Sequence, residues 1–222
     1  ITVGAESLNI SGAGPSGSAA LDNISGNNTW GGTITLGAAA SIRNQSDTFT
    51  INNASAIVTA GNQLSLGGSS ASGIISGVIS GGGSVRKVAV GAWTLSGTNT
   101  FTGGVDLRAG TLNINNAQAL GTSAGTFTVG GAGNAVIIDN TSGSPISTVN
   151  YPMAWNDNFT FTGTNNLNLG AGAVSISADR QLTVTANTLT IGGTISASTI
   201  NLTKTGAGTL SLGSNAATLN DL

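Results

Sequence analysis

Apolar and polar residues alternate along most of the chain in short runs. Ile, Leu, Val and Phe hold one set of positions, and Thr, Ser and Asn hold the other. A period of two sends successive side chains to opposite faces of a β-strand, so the pattern predicts many short strands with one apolar face. No stretch sustains the i, i+3, i+4, i+7 spacing of an amphipathic helix. The clearest alternating runs are residues 33–36, 48–51, 111–114, 126–129 and 210–212.

The segments between these runs are rich in glycine, asparagine and serine. The chain has 35 glycines and only 3 prolines, and doublets such as Gly-Gly, Asn-Asn and Ser-Gly separate the runs. Glycine and asparagine adopt left-handed backbone angles at low cost, so they favour tight turns. Many short strands joined by tight turns are typical of a sandwich, a barrel or a solenoid.

Internal repetition favours the solenoid. Residues 87–99 and 204–215 place Lys, Gly, a large apolar residue and Leu at the same offsets, and similar sequence precedes each copy. A weaker copy relates residues 28–32 to residues 99–104. A β-sandwich does not require such copies. In a solenoid, equivalent positions of successive turns have similar neighbours, so similar sequences recur. Turns of about 20 to 25 residues would give about nine or ten coils and a stack about 45 Å long.

One segment of this repeat carries a family resemblance. Residues 95–104 read Leu-Ser-Gly-Thr-Asn-Thr-Phe-Thr-Gly-Gly, and residues 108–114 read Arg-Ala-Gly-Thr-Leu-Asn-Ile. The segment resembles the autotransporter-associated β-strand repeat, also called the passenger-associated transport repeat. The resemblance is clearest over residues 74–119 and 158–215, and an earlier copy departs from it with Trp30-Gly31 where the repeat has Phe-Thr-Gly. It implies an all-β fold, a right-handed parallel β-helix (β-solenoid).

The resemblance also implies an organisation and a function. Residues 1–222 are expected to form a single solenoid segment, a fragment of a longer passenger. The expected role is that of a structural or adhesive module, the rigid stalk of an autotransporter-type passenger or adhesin. Such a protein is exported to the surface of a Gram-negative-type bacterium or beyond it. Two alternatives stay open: a subunit of an extracellular filament or sheath that stacks end to end and, less favoured, an enzyme acting on polysaccharide.

The expected partners follow from the two ends and the sides of a solenoid. Unpaired strand edges at each end, near residues 1–10 and 209–222, would pair with neighbouring coils of the same chain or of an identical one. Host or cell-surface glycans or proteins are the other expected partners. Nucleic acid is not expected, because only Arg86 and Lys87 are adjacent among the 6 basic residues and a phosphate-binding surface needs clustered basic side chains.

The alternation also predicts which side chains form the core and which form the turns. Asparagine doublets in the turns, at residues 52–53, 115–116 and 165–166, are expected to stack as ladders of side-chain amides. The residues predicted to point inward are Leu95, Phe101, Leu112, Ile114, Phe159, Phe161 and Leu210.

Composition removes most catalytic chemistries. The chain has no histidine and no cysteine, and only 6% of its residues are charged. Nucleophile systems based on a Ser-His or Cys-His pair, disulfides and thiolate zinc sites are therefore excluded. Asp139, Asp157 and Asp179 are spaced so that stacked coils would bring them near one another, but solvated turn residues are the expected interpretation rather than a catalytic carboxylate pair.

Three further features are interpreted as structural. Lys87 and Lys204 are expected to be turn residues of the repeat. Residues 130–136 resemble one calcium-binding nonapeptide with Asn134 where a carboxylate belongs, and a single copy is not expected to bind calcium. Trp155 is expected to lie in the core, on a strand that begins after Pro152. The sequence therefore predicts no catalytic residue, no cofactor and no metal, and a protein that is not an enzyme.

Overall fold

The computed structural model describes residues 1–15, 18–69, 72–130, 133–196 and 200–213. Within them the chain forms β-strands that are joined by turns and irregular segments. The first half contains β1 (Thr2–Val3), β2 (Leu8–Gly12), β3 (Leu21–Asn23), β4 (Asn28–Trp30), β5 (Ile34–Asn44), β6 (Thr48–Ile51), β7 (Ile57–Val58), β8 (Leu64–Gly68), β9 (Ser72–Ile75), β10 (Ile79–Ser80), β11 (Val85–Lys87), β12 (Ala92–Leu95) and β13 (Val105–Leu107). The second half contains β14 (Gly110–Ile114), β15 (Phe127–Val129), β16 (Val136–Asp139), β17 (Ile146–Ser147), β18 (Met153–Trp155), β19 (Phe159–Phe161), β20 (Leu167–Asn168), β21 (Val174–Ile176), β22 (Arg180–Val184), β23 (Thr188–Ile191), β24 (Ile195–Ser196), β25 (Leu202–Thr205) and β26 (Thr209–Leu212).

The strands lie in three parallel sheets. Face A is a ten-stranded sheet in the order β1-β4-β6-β9-β12-β14-β16-β19-β22-β25. Face B is a twelve-stranded sheet that runs from β10, β7 and β5 through β8, β11, β13, β15, β18 and β21 to β24, with β2 and β3 also paired to β5. Face C is the four-stranded sheet β17-β20-β23-β26. In the second half of the chain, successive strands lie on face B, face A and face C in turn, as β18, β19 and β20 do.

This architecture confirms the predicted all-β parallel solenoid. Ten successive strands on face A correspond to nine turns of the coil. The turns vary in length, because Thr94 pairs with Asn113, 19 residues on, whereas Thr2 pairs with Thr29, 27 residues on. Among the described residues there is no α-helix, and so none with the length and apolarity to cross a lipid bilayer.

The core is one apolar column that the three faces enclose. Six of the seven residues predicted to point inward are buried, with Phe159 the most exposed of them at 4%. The seventh, Leu210, packs against the core but is only half-buried. It lies on β26, the outermost strand of face C, so only one described neighbouring strand covers it.

Two of the three tryptophans lie in the core, including the one predicted there. Trp155 is fully buried on β18, which begins directly after Pro152, and its ring meets Phe159 edge-on with centroids 5.1 Å apart. Trp93 is fully buried as well, while Trp30 in the second turn is half-buried. The Trp93 and Trp155 rings therefore fill the column.

Candidate functional site in the polar corners of the repeat

The asparagine of the repeat motif is a buried bridge between three turns. Asn99 is 1% exposed and lies between the ends of β12 and β13. Its Oδ1 accepts a hydrogen bond from the backbone N–H of Ile79 in the preceding turn, at 2.8 Å. Its Nδ2 donates to the carbonyl of Ala119 in the following turn, at 2.7 Å. One side chain thus satisfies two buried backbone groups that belong to no regular ladder.

The lysine of the motif is not the turn residue that the sequence predicted. Lys87 is the last residue of β11, in register with Leu66 on one side and Leu107 on the other. Those two neighbours are buried core residues, and Lys87 itself is 0% exposed. A cationic side chain therefore occupies a position that apolar side chains hold in the adjacent turns.

Three backbone carbonyls hold the Lys87 ammonium where faces B and A meet. Its Nζ donates to the oxygens of Val88 at 2.8 Å, Ala89 at 2.7 Å and Ala109 at 2.9 Å. Gly110 closes this cage with a φ of +71°, and a Cβ there would lie 2.8 Å from Nζ. The ammonium can donate three hydrogen bonds, so the cage satisfies it without a carboxylate.

The second copy of the motif repeats one of these contacts on another face. Lys204 lies on β25, in register with the buried Leu182, and its Nζ donates to Gly206 at 2.6 Å. In both copies the acceptor is two residues after the lysine and has a positive φ, +59° at Ala89 and +81° at Gly206. The first copy crosses from face B to face A, and the second crosses from face A to face C. The motif therefore encodes a corner of the coil rather than a fixed face.

Burial makes the charge on Lys87 dependent on pH. Removal from water lowers the pKa of Lys87 from 10.5 to about 7, because burial penalises the ammonium more than the neutral amine. Between these two values the unfolded chain binds a proton that the folded chain does not, so folding becomes more favourable as the pH rises. We expect the free energy of unfolding to rise between pH 7 and pH 10 and to level off below pH 7.

A Lys87→Met variant isolates this contribution, because methionine keeps the length of the side chain but does not titrate. The measurement is urea denaturation of both proteins at several pH values. The free energy of unfolding of the wild type, relative to that of the variant, should increase from pH 7 to pH 10. If this relative stability stayed constant from pH 7 to pH 10, folding would not lower the pKa of Lys87, and the three carbonyls would stabilise the ammonium as well as water does.

In earlier turns, asparagine side chains occupy the corner that is equivalent to that of Lys87. The prediction that the asparagine doublets stack as amide ladders is wrong. Asn23 Nδ2 donates to Asn44 Oδ1 at 2.6 Å, and Asn44 donates onward to the carbonyl of Ser72. The doublets that were expected to stack bond elsewhere: Asn53 donates to the carbonyl of Gly31. Asn115 bonds to Thr141, and Asn165 bonds to the carbonyl of Asn140. The doublets link turns through backbone and hydroxyl groups instead of through each other.

The three aspartates considered as a catalytic set are structural acceptors. Asp139 is 4% exposed, contrary to the prediction of a solvated turn, and accepts hydrogen bonds from the N–H groups of Asn140, Gly163 and Thr164 and from the Thr164 hydroxyl. It ends β16 on face A, whereas Asp157 and Asp179 lie in turns between faces B and A. Each of those two also accepts backbone N–H groups. Their oxygens are engaged in holding turns together.

Residues 130–136, which resemble a calcium-binding nonapeptide, lie only partly within the described residues. Residues 131 and 132 of the glycine-rich run lie outside the described residues, and Asn134 is exposed. Among the residues that the structure does describe, there is no group of three or more acidic side chains that could hold a metal ion.

Comparison with known proteins gives two matches. The sequence model of the passenger-associated transport repeat family matches residues 90–114 and 202–218, of which residues 214–218 lie outside the described part of the chain. A segment of 51 residues, 23% of this chain, is 49% identical to the adhesin BmaC autotransporter of Brucella suis biovar 1 (strain 1330). The match covers 2% of that protein's length. No solved structure matches the chain. The first two findings confirm the resemblance drawn from the sequence.

Proposed function

We propose that this chain, two segments of which match the passenger-associated transport repeat, is a rigid, non-enzymatic segment of the shaft of an exported adhesive protein. Its task is to hold other parts of that protein at a fixed distance and orientation. The adhesin that matches part of the chain supports a location at the cell surface or outside the cell. The absence of cysteine suits a chain that crosses membranes unfolded, because no disulfide can form on the way.

Continuity along the axis is the observation that carries this proposal. The buried apolar residues form a single cluster from Ile10 to Leu202. Parallel ladders connect each turn to the next on face A from β1 to β25. Buried bridges such as Asn99 and Lys87 add bonds between turns where the ladders are interrupted. Bending such a column would break hydrogen bonds and open the close-packed core at the same time, so stiffness follows from the fold.

Removing one whole turn should shorten the shaft without unfolding it. Thr160 pairs with Thr183 on face A, so deletion of residues 161–183 joins strands that occupy the same register position. We expect a folded protein with an unchanged β-sheet circular dichroism spectrum and a length reduced by about 4.8 Å, the spacing of adjacent strands. Small-angle X-ray scattering would measure the length.

A half-turn deletion is the matched control. Removing residues 161–171 joins face A directly to the segment that precedes β21 of face B, so face C is skipped and the following strands lose their register with the preceding turn. This variant should aggregate or unfold. In the parent protein, adhesion that persists after the whole-turn deletion would support a spacer, whereas adhesion lost by that folded variant would contradict it.

A second candidate function is end-to-end assembly, and one feature of the first turn favours it. An apolar cavity of about 210 Å³ opens there, lined among others by Ile1, Val3, Leu21, Trp30 and Phe49. Among the described residues, the buried indole nitrogen of Trp30 has no hydrogen-bond partner. A coil of a second copy could cover this surface. The opposite end is described only as far as residue 213, so the predicted contact through residues 209–222 lies largely outside the described residues. Growth of the scattering length with protein concentration would favour assembly over an isolated shaft.

A further inference from the structure

Two arginines converge on the outer side of face B, although they lie far apart in the sequence. Arg86 on β11 is in register with Asp106 on β13, and Arg108 follows β13 directly. The Nε atoms of Arg86 and Arg108 donate to the same oxygen, Asp106 Oδ2, at 3.1 and 2.7 Å. Two positive charges and one negative charge therefore lie together, with a net charge of +1.

The outer ends of both guanidinium groups are available. Among the described residues, the Nη atoms of Arg86 and Arg108 make no hydrogen bond, and Asp106 Oδ1 accepts none. The side chains of Arg86 and Arg108 are 34% and 49% exposed. The other basic side chains are engaged elsewhere: Arg43 pairs with Asp22, and Lys87, Arg180 and Lys204 donate to backbone carbonyls. Within the described part of the chain, Arg86 and Arg108 therefore present free guanidinium N–H donors side by side.

A polar groove of about 310 Å³ begins at the same aspartate. Its lining includes the hydroxyl side chains of Ser84, Thr102, Thr126 and Thr128 together with Asp106. Arg86 and Arg108 lie outside this lining and are connected to it through their shared hydrogen-bond acceptor, Asp106 Oδ2. Thr128 is in register with Asp106, so the groove crosses neighbouring strands of face B. Glycine backbone of the turns before β13 and β15 forms part of its surface, which leaves room above the strands. The volume lies at the lower limit for small-molecule sites, about 300 to 1,000 Å³.

We propose that this groove and the two arginines beside it, on Asp106, together bind an acidic saccharide, a sugar chain that carries carboxylates. The free Nη groups of Arg86 and Arg108 match a carboxylate, because a guanidinium donates paired hydrogen bonds to it. The threonine hydroxyls and Asp106 Oδ1 match sugar hydroxyls, which both donate and accept. An acidic peptide fits less well, since the lining offers no apolar or aromatic pocket for its side chains.

The test measures binding of three probes to the whole chain by isothermal titration calorimetry at low salt. The probes are tetragalacturonate, uncharged galactotetraose and tetraglutamate. Tetragalacturonate should bind at least about tenfold more tightly than either other probe, because only it has both the charge and the hydroxyls. Its affinity should fall as salt is added.

Two substitutions separate a binding role from a structural one. Arg86→Gln combined with Arg108→Gln should weaken tetragalacturonate binding by about tenfold or more. Asp106→Asn removes the competing carboxylate and should strengthen binding several-fold, which a loss of structure cannot do. Arg43→Gln is the control, since it removes a cation from face B away from the groove. Thermal unfolding would establish that each variant is folded.

Several outcomes would overturn the proposal. Equal binding of tetraglutamate would indicate an anion site without preference for sugar, and no binding at millimolar concentration would remove the site altogether. Unchanged tetragalacturonate binding by the double arginine variant would show that the arginines are not the anion receptor. None of these results bears on the shaft proposal, which depends on the whole-turn deletion instead.

Discussion

A Phe161→Asp substitution should cost the solenoid about 5 kcal/mol or more and abolish cooperative unfolding of the surrounding turns. Phe161 is fully buried and stacks between Ile138 and Val184 on face A. Loss of a buried phenylalanine ring costs about 3 to 5 kcal/mol, and the new carboxylate would have no partner in the apolar column. Because each turn is stabilised by its neighbours, the defect should spread to the adjacent coils. Urea denaturation followed by circular dichroism measures the effect.

Thr160→Asp is the matched control for this prediction. Thr160 is the adjacent residue on β19, points outward and is half-buried. The same carboxylate at this position meets solvent, so the change in stability should stay below about 1 kcal/mol. Similar losses in both variants would mean that the inward and outward faces of β19 are not as the structure has them.

Replacing Asn99 with leucine should destabilise the protein by about 2 to 4 kcal/mol. Leucine keeps the number and branching of the side-chain heavy atoms, but the N–H of Ile79 and the carbonyl of Ala119 would both lose their partner inside the protein. Each buried backbone group left unsatisfied costs about 1 to 3 kcal/mol. The midpoint of urea denaturation should fall accordingly, and amide hydrogen exchange at Ile79 should accelerate.

Asn113→Leu provides the comparison. Asn113 points outward from face A, one turn further along, and its Nδ2 donates to the hydroxyl of Thr94. Leucine there leaves no buried backbone group without a partner, so a change within about 1 kcal/mol is expected. If Asn113→Leu were as damaging as Asn99→Leu, the bridge between turns would not be the source of the effect.

Local pattern was sufficient to identify the strands and their inward faces. Leu95, Phe101 and Phe161 are buried as predicted, because alternation along a strand directs side chains to fixed sides whatever the strand pairs with. The solenoid followed from repetition, since each turn must cover the apolar face of the next. The position of Trp155 in the core followed in the same way, because Pro152 limits where its strand can begin.

The role of the repeat lysine could not be predicted from the same pattern. A lysine between two apolar runs favours an exposed turn, because an ammonium is rarely buried without a partner. One of the three carbonyls that hold Lys87 inside belongs to Ala109, which lies 22 residues away and reaches the ammonium only when the turns stack. Asp139 was misjudged for a similar reason, because three of its four donors belong to the next turn, around Gly163 and Thr164.

The sequence by itself determined that this protein is a β-solenoid with an apolar column and glycine-rich corners, because those properties depend on neighbours along the chain. Only the tertiary structure decided which distant residues meet. Along face A, turn lengths range from 19 residues at Thr94 to 27 at Thr2, so two copies of one motif come to lie on different faces of the coil. The same spacing brings Arg86 beside Arg108, because the length of one particular turn aligns strands that the sequence alone leaves unrelated.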